Sequence, residues 1–238
     1  KREGEELGFS ELEELAQKEE PLRSLIDPDD PIFTPAGNIP ERIREYCRNT
    51  GQPVPETKGQ IVRCINESLA LKYRKSMEEI SQCTKKAYPV IYMVGGGTQS
   101  RLLCRLTADA CGCRVLAGPV EATALGNALI QMITLGAVKD LKEARTILKH
   151  SQKIETYEPD LSRKSVWDHA YKFLRSLDGW RPMMEMFPQN WKTERFWQRL
   201  PVSAKGLLRR KSWYILIKTE MCWMGWKGTA RLQRSKCI

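Results

Sequence analysis

The stretch from Pro89 to Gly112 narrows the possible folds more than any other part of this chain. Pro89-Val-Ile-Tyr-Met-Val94 is a short apolar run rich in β-branched and aromatic residues, which reads as a buried strand. Gly95-Gly-Gly97 breaks it. Thr98 or Ser100 can then cap a helix with Leu102, Leu103, Leu106 and Ala110 on one side, and Gly112 ends that helix. Arg114-Val-Leu-Ala117 reads as a second strand, closed by Gly118-Pro119. Val120 to Leu135 then reads as a second helix, in which the small residues Ala122, Ala124 and Gly126 suit close packing against another backbone. Strand, glycine turn, helix, strand, helix is an α/β pattern. Two strands make a poor sheet, so further strands are expected in weaker segments or outside this chain.

The flanking segments are helical by pattern. Ile61, Ile65, Leu69, Tyr73, Met77 and Ile80 recur every three or four residues, with Arg63, Glu67, Lys72, Arg74 and Lys75 between them. That spacing predicts one long amphipathic helix over about 57–82, its apolar stripe packed on the sheet. Upstream, Ser10-Glu-Leu-Glu13 has the form of a capping box and predicts a helix to about Gln17. Pro21 suggests a further helical turn. Asp27 to Pro35, with three prolines, reads as a loop, and Pro40 opens a helix that ends near Gly51 and Pro53. Helices near 140–149 and 161–175 follow. No apolar run approaches the roughly 20 residues that span a bilayer, and the charged start at Lys1 lacks an apolar core behind it. A cytoplasmic protein is therefore expected. A lysine at position 1 fits a piece of a longer protein.

Charge divides the chain in two. Residues 1–177 carry 26 Lys and Arg against 25 Asp and Glu, whereas 178–238 carry 13 against 4, so nearly all the net charge of +10 lies in the last part. Six of the seven tryptophans lie there too. Of the eight cysteines, only Cys111-Gly-Cys113 forms a tight pair, and His150 and His169 lie far from it in sequence. That spacing does not suit a zinc site, and no metal ligands are expected in this chain.

Three glycines between a strand and a helix let the backbone approach a ligand closely, and the unpaired N–H groups of the following helix favour an anion there. A nucleotide phosphate or the edge of a nucleoside fits such a place. A tight turn with no ligand would use the same residues. No Gly-Lys-Ser/Thr follows, so the turn is not a P-loop.

Gly95-Gly-Gly-Thr-Gln-Ser-Arg-Leu-Leu103, Leu106-Thr-Ala-Asp-Ala-Cys-Gly112 and Ala117-Gly-Pro-Val-Glu-Ala-Thr-Ala-Leu-Gly-Asn127 resemble the C-terminal lobe of the FGGY carbohydrate kinases, most closely its rhamnulokinase branch. Ile26-Asp-Pro-Asp-Asp-Pro-Ile-Phe33, Gly51-Gln-Pro-Val-Pro-Glu56 and Cys64-Ile-Asn-Glu-Ser-Leu-Ala-Leu71 resemble that branch in the same order, so the likeness covers about residues 8–175. It implies an α/β fold of the ribonuclease-H-like, actin-like kind, here an incomplete C-terminal lobe over 1–177. It also implies ATP with Mg2+ as cofactors, and L-rhamnulose or a related ketose as the sugar partner of the intact enzyme. In this family an aspartate deprotonates a sugar hydroxyl that attacks the γ-phosphate, and catalysis is mostly positioning and charge neutralisation. That aspartate and the phosphate-binding turns match nothing in this chain, so no catalytic residue is assigned and the chain alone is expected to be inactive. The resemblance places Gly95, Gly96 and Gly97 against the adenosine end of ATP, with Gly96 foremost, and Ser100 beside them. Ser100 stands where the family has asparagine; it cannot offer both an amide donor and a carbonyl acceptor, and weaker nucleotide affinity is expected. Some rhamnulokinases carry a cysteine pair matching Cys47 and Cys64. A disulfide and two buried thiols in a reducing cytosol are both open for them.

The resemblance ends near Leu174. Residues 178–238 read as a foreign, basic, Trp-rich tail, disordered or translated out of frame. The alternative reading is a non-catalytic protein that binds nucleic acid through Arg209-Arg-Lys-Ser-Trp213 and its neighbours, since basic residues with aromatics suit phosphates and stacking. The first reading expects limited proteolysis to trim the chain to near residue 175, leaving a resistant core with Pro89–Leu135. The second expects salt-dependent nucleic-acid binding that is lost with 178–238.

Overall fold

A computed structural model describes residues 7–177. The expectations for the tail and its boundary at 178 lie outside the described residues. The helices are α1 (Phe9–Lys18), α2 (Ile39–Asn49), α3 (Lys58–Thr84), α4 (Arg101–Cys111), α5 (Ala122–Thr134), α6 (Leu141–Ser151) and α7 (Lys164–Ser176). The strands are β1 (Val90–Met93), β2 (Arg114–Ala117) and β3 (Glu155–Tyr157), and they form one sheet in the order β1-β2-β3. β1 and β2 are parallel, with Ile91 opposite Val115 and Met93 opposite Ala117. They are joined through α4, as a parallel pair must be by a crossover. β3 runs antiparallel to β2, with Ala117 opposite Glu155. This is the additional strand that the sequence pattern required without locating. Three residues, Glu-Thr-Tyr, are too short to show a period.

α3 is the spine of the fold. Its N-terminal half gives Ile61 and Cys64 to a cluster with Ile26, Ile43, Tyr46 and Cys47. Ala70 and Leu71 join a second cluster with Ala16, Leu102, Leu106, Trp167, Tyr171 and Leu174. Tyr73 and Met77 pack with Ile91, Met93, Leu103, Cys104, Ala108 and Val115 beneath the sheet. One helix thus feeds three apolar clusters, as its predicted stripe demands. α4 lies between α3, the sheet and α7, and eight consecutive or near-consecutive residues from Leu102 to Ala110 are buried.

Several local expectations change. α1 starts at Phe9, not after Ser10; the Gly8 N–H donates to the Glu11 carboxylate at 2.7 Å, and Glu13 is left free to serve another helix. Pro21 opens a turn without a helix. Leu22 takes a φ of +57° so that its N–H reaches Glu67 on α3, and the chain then runs extended along that helix. β1 is buried on one face only, at Ile91 and Met93, rather than throughout. No residue of α5 is buried, and a Cβ at Gly126 would meet nothing within 4 Å. The close packing expected of Ala122, Ala124 and Gly126 therefore has no counterpart among the described residues.

Arg63 and Glu67, placed by pattern on the solvent side of the long helix, are buried instead. Their side chains are 8% and 1% exposed and pair at 2.8 Å. Arg63 also donates to the carbonyl of Ala16 at 3.0 Å, capping the end of α1, while Glu67 accepts from Leu22 N–H at 2.8 Å. Next along the helix, Ser68 Oγ accepts from Ile26 N–H at 2.9 Å and donates to the Cys64 carbonyl at 2.6 Å. Gln52 completes the arrangement by bonding both the N–H and the carbonyl of Leu25 at 2.8 Å. The motifs 26–33, 51–56 and 64–71, which carried part of the family resemblance, thus meet in one hydrogen-bonded unit with residues 22–25.

Burial pushes the Glu67 carboxyl up to about 7, against the opposing pull of Arg63 and of the Leu22 N–H. A folded pKa above the ordinary 4.5 means that the native state binds this proton more tightly than the unfolded chain. Its stabilising effect is full below pH 4.5 and is withdrawn as the pH rises towards 7. Urea unfolding should therefore show native stability falling by as much as about 3 kcal/mol from this group between acid and slightly alkaline pH. The difference curve against Glu67→Gln isolates it, and a slope of the opposite sign would contradict the assignment. Glu67→Ala should cost about 3 kcal/mol or more, because Arg63 is left buried and unpaired.

Candidate functional site

Both parallel strands end at the same edge, and each is followed within two residues by a glycine. After Met93 the chain passes Val94 and turns at Gly95, with φ of +88°, into a short 3-10 turn over Gly96–Gln99. After Ala117 it turns at Gly118. The two turns are sewn together: Gly118 N–H donates to the Met93 carbonyl at 2.8 Å, and Gly95 N–H to the Pro119 carbonyl at 3.0 Å. A Cβ at Gly118 would lie 3.2 Å from Val94 Cγ1 and 3.4 Å from the Met93 carbonyl oxygen, so this glycine is set by packing. Thr98 Oγ1 donates to the Gly95 carbonyl at 2.7 Å and holds the first turn closed. In open parallel sheets, ligands bind beyond the carboxyl ends of the strands.

Gly96 differs from its neighbours. It is exposed, it has no positive φ, and a Cβ added to it would meet nothing within 4 Å. The protein's own packing does not require glycine there. Gly97 is likewise exposed and unobstructed but for Leu103 at 4.0 Å. Gly95, Gly96 and Gly97 thus form a bare backbone ledge at the strand ends.

Ser100 lies beside the ledge but is only 3% exposed. It is the N-cap of α4: its Oγ accepts from Leu103 N–H at 3.1 Å and donates to Glu13 Oε1 at 3.0 Å. The same Glu13 oxygen accepts from Leu102 N–H. This revises the electrostatics expected from sequence. The first-turn N–H groups of α4 are not free for a ligand's anion, because a carboxylate delivered by α1 from 87 residues away already occupies that position. Pattern reading missed Glu13 because nothing local marks a carboxylate that caps a distant helix. The ledge beside α4 offers shape and backbone polarity rather than a charged cradle. Glu121 is the exposed N-cap residue of α5 and makes no capping bond through its side chain.

The cysteines are free among the described residues. Cys47 and Cys64 are buried in one cluster on α2 and α3, and interaction between the two thiols raises Cys64 and lowers Cys47. Cys111 and Cys113 share a second cluster at the far end of α4. Among the described residues, no three His, Cys, Asp or Glu side chains are grouped to hold a metal ion, and no helix is long and apolar enough to cross a membrane.

Comparison with known proteins sets this geometry in a family. Residues 1–135 match the C-terminal domain of the FGGY family of carbohydrate kinases. The chain is 45% identical to a rhamnulokinase of Bacteroides thetaiotaomicron over 163 residues, covering 68% of this chain and 33% of that protein. It is 40% identical to a rhamnulokinase of Enterococcus faecalis over 169 residues, covering 70% and 34%. The crystal structure of xylulose kinase from Rhodospirillum rubrum aligns with 52% of this chain and 25% of its own, at 24% identity and a TM-score of 0.43. The chain spans about a third of the length of the curated relatives it matches. With more than half of its residues matched to the family's C-terminal domain, this mixed α/β chain belongs to the FGGY family of carbohydrate kinases.

Proposed function

We propose that this chain supplies the adenosine side of the ATP site of a sugar kinase that phosphorylates L-rhamnulose in L-rhamnose breakdown in the cytoplasm. The observation that carries the reading is the backbone ledge at Gly95–Gly97, where the fold leaves side-chain space empty at Gly96 without needing a glycine there for itself. A flat purine or ribose can lie against such a ledge and meet backbone alone. The 45% identity to a rhamnulokinase supports the choice of sugar. Residues 1–177 form the lobe in this reading, and 178–238 lie outside it.

When bound, Mg2+ neutralises the phosphates and travels with the nucleotide. The residues of this chain do the remaining work of the half-site. Thr98 and the Gly95–Pro119 bond fix the turn, Gly118 lets the two strand ends close on each other, and Ser100 with Glu13 anchors α4 behind the ledge. The Glu13 carboxylate beside α4 disfavours a phosphate at that helix start, so the uncharged nucleoside end is the part that belongs here. Ser100 spends its hydroxyl on Glu13, and so the side chain that replaces the family's asparagine contributes nothing directly to the nucleotide.

Gly96→Trp gives the sharpest test. Calorimetry with ATP should show binding by the chain and at least a tenfold loss in the variant, about 1.4 kcal/mol. The melting temperature should stay the same, because the new side chain meets no protein atom. Unchanged affinity in a folded variant would remove the ledge from the site. A second expectation concerns turnover. With no general base or phosphate-binding turn matched in these residues, the chain alone should not hydrolyse or transfer phosphate from Mg2+-ATP when L-rhamnulose is offered. Turnover that depends on the sugar would show that the chemistry resides in these residues after all.

A further inference from the structure

The opposite end of α4 carries a second chemical feature that the nucleotide reading does not use. Cys111 is the last residue of α4, Gly112 takes a φ of +62° as its C-cap, and Cys113 leads into β2. The left-handed turn at Gly112 reverses the chain so sharply that both thiols face the same cluster of Met77, Ile91, Val115 and Tyr88. The two side chains stand two residues apart across that turn and pack against one cluster. Both residues are partly exposed, and both line one open cavity of about 470 Å³ against the C-terminal half of α3, with Tyr88, Lys86 and Lys164 around it. Cys47 and Cys64 share a cluster too, but they are fully buried. The Cys111–Cys113 pair therefore combines closeness across a left-handed turn with access from an open cavity.

We propose that Cys111 and Cys113 form a redox-active dithiol, a modification site that a small hydroperoxide converts to an intramolecular disulfide. The proposal does not depend on the nucleotide reading. Cys113 attacks first, because the interaction between the two thiols holds Cys113 below the usual range, whereas that interaction and burial raise Cys111. The Cys113 sulfur takes the distal oxygen of the peroxide, the O–O bond breaks, and an alcohol or water leaves with a proton. A sulfenic acid remains on Cys113. Cys111 sulfur then attacks that sulfur, the S–O bond breaks, and water leaves with the proton from Cys111. In sum, two thiols and one hydroperoxide yield one disulfide, one alcohol or water and one further water. The loop closed is very short, so the bond constrains the unfolded chain little and should add almost nothing to stability. A bond of that kind is readily reduced again, which marks a redox-sensitive site rather than a structural staple.

The sequence provides a clean readout. Trypsin cuts after Arg105 and Arg114, so the peptide 106–114 contains Cys111 and Cys113 and no other cysteine. The full native chain is treated with about one equivalent of hydrogen peroxide, blocked with N-ethylmaleimide, digested and weighed. The expected peptide is two hydrogens lighter than the dithiol and carries no maleimide; dithiothreitol before blocking restores two maleimides. In Cys111→Ser, Cys113 should be trapped by dimedone as the sulfenic acid, and in Cys113→Ser the peptide should stay reduced at that dose. A wild-type peptide that keeps both maleimides while exposed Cys83 is oxidised would overturn the proposal. Direct passage to sulfonic acid without a disulfide would do so equally. The wild-type peptide decides the matter even if a variant fails to fold.

Discussion

The buried Arg63–Glu67 pair is the contact on which the remaining packing depends. Two charges removed from water must be satisfied on every side, or the helix that carries them will not bury that face. Here Glu67 takes one hydrogen from Arg63 and one from Leu22, and Arg63 spends further donors on the end of α1. The pair therefore specifies which segments lie on α3 and in what register. An apolar substitute of the same volume could fill the space, but it would not choose between Leu22 N–H and its neighbours. With α1 fixed in this way, Glu13 is carried to the start of α4, and through α4 to the strand ends. The chain of dependence runs from a pair on α3 to the ledge at Gly96 without a break in packing.

Much of this architecture was legible in the residues. The strand at 90–93, the strand at 114–117 and the helices between and around them follow from apolar period, glycine stops and the Ser100 cap. What could not be read was decided by distant partners. β3 is three residues long and exists because β2 offers it a free edge. Pro21 looks like a helix start, but the pull of Glu67 on Leu22 sets the backbone there. Arg63 and Glu67 look solvated because charge at helical spacing usually is. Only the groups that approach them, Ala16 carbonyl and Leu22 N–H, make their burial possible. α5 was read from its small residues as a packing helix, yet its apolar side chains, including Ile130 at 53% exposure, remain uncovered within the described residues.

The candidate site shows the same division. Glycines at strand ends are visible in sequence, and so is their capacity for close approach. Which of them the fold itself consumes is visible only in three dimensions. Gly118 is held by Val94 and Gly95 by its φ, whereas nothing in the protein claims the space above Gly96. Ser100, singled out for what it lacks beside the family's asparagine, proves to be a buried cap.

The occupation of the α4 N-terminus by Glu13 carries the electrostatic argument one step further. A free helix start would attract phosphate wherever a nucleotide approached, and the nucleotide could then bind in the wrong direction. A carboxylate fixed at that position, with its oxygen shared between Ser100 Oγ and Leu102 N–H, cancels the attraction and adds repulsion. In the proposed reading, orientation follows by exclusion: the anionic end of a nucleotide would be turned away from α4, and the uncharged end would be left with the ledge. Such a site would need no positive charge of its own, because shape and a carboxylate held by its own hydrogen bonds would select the end that binds.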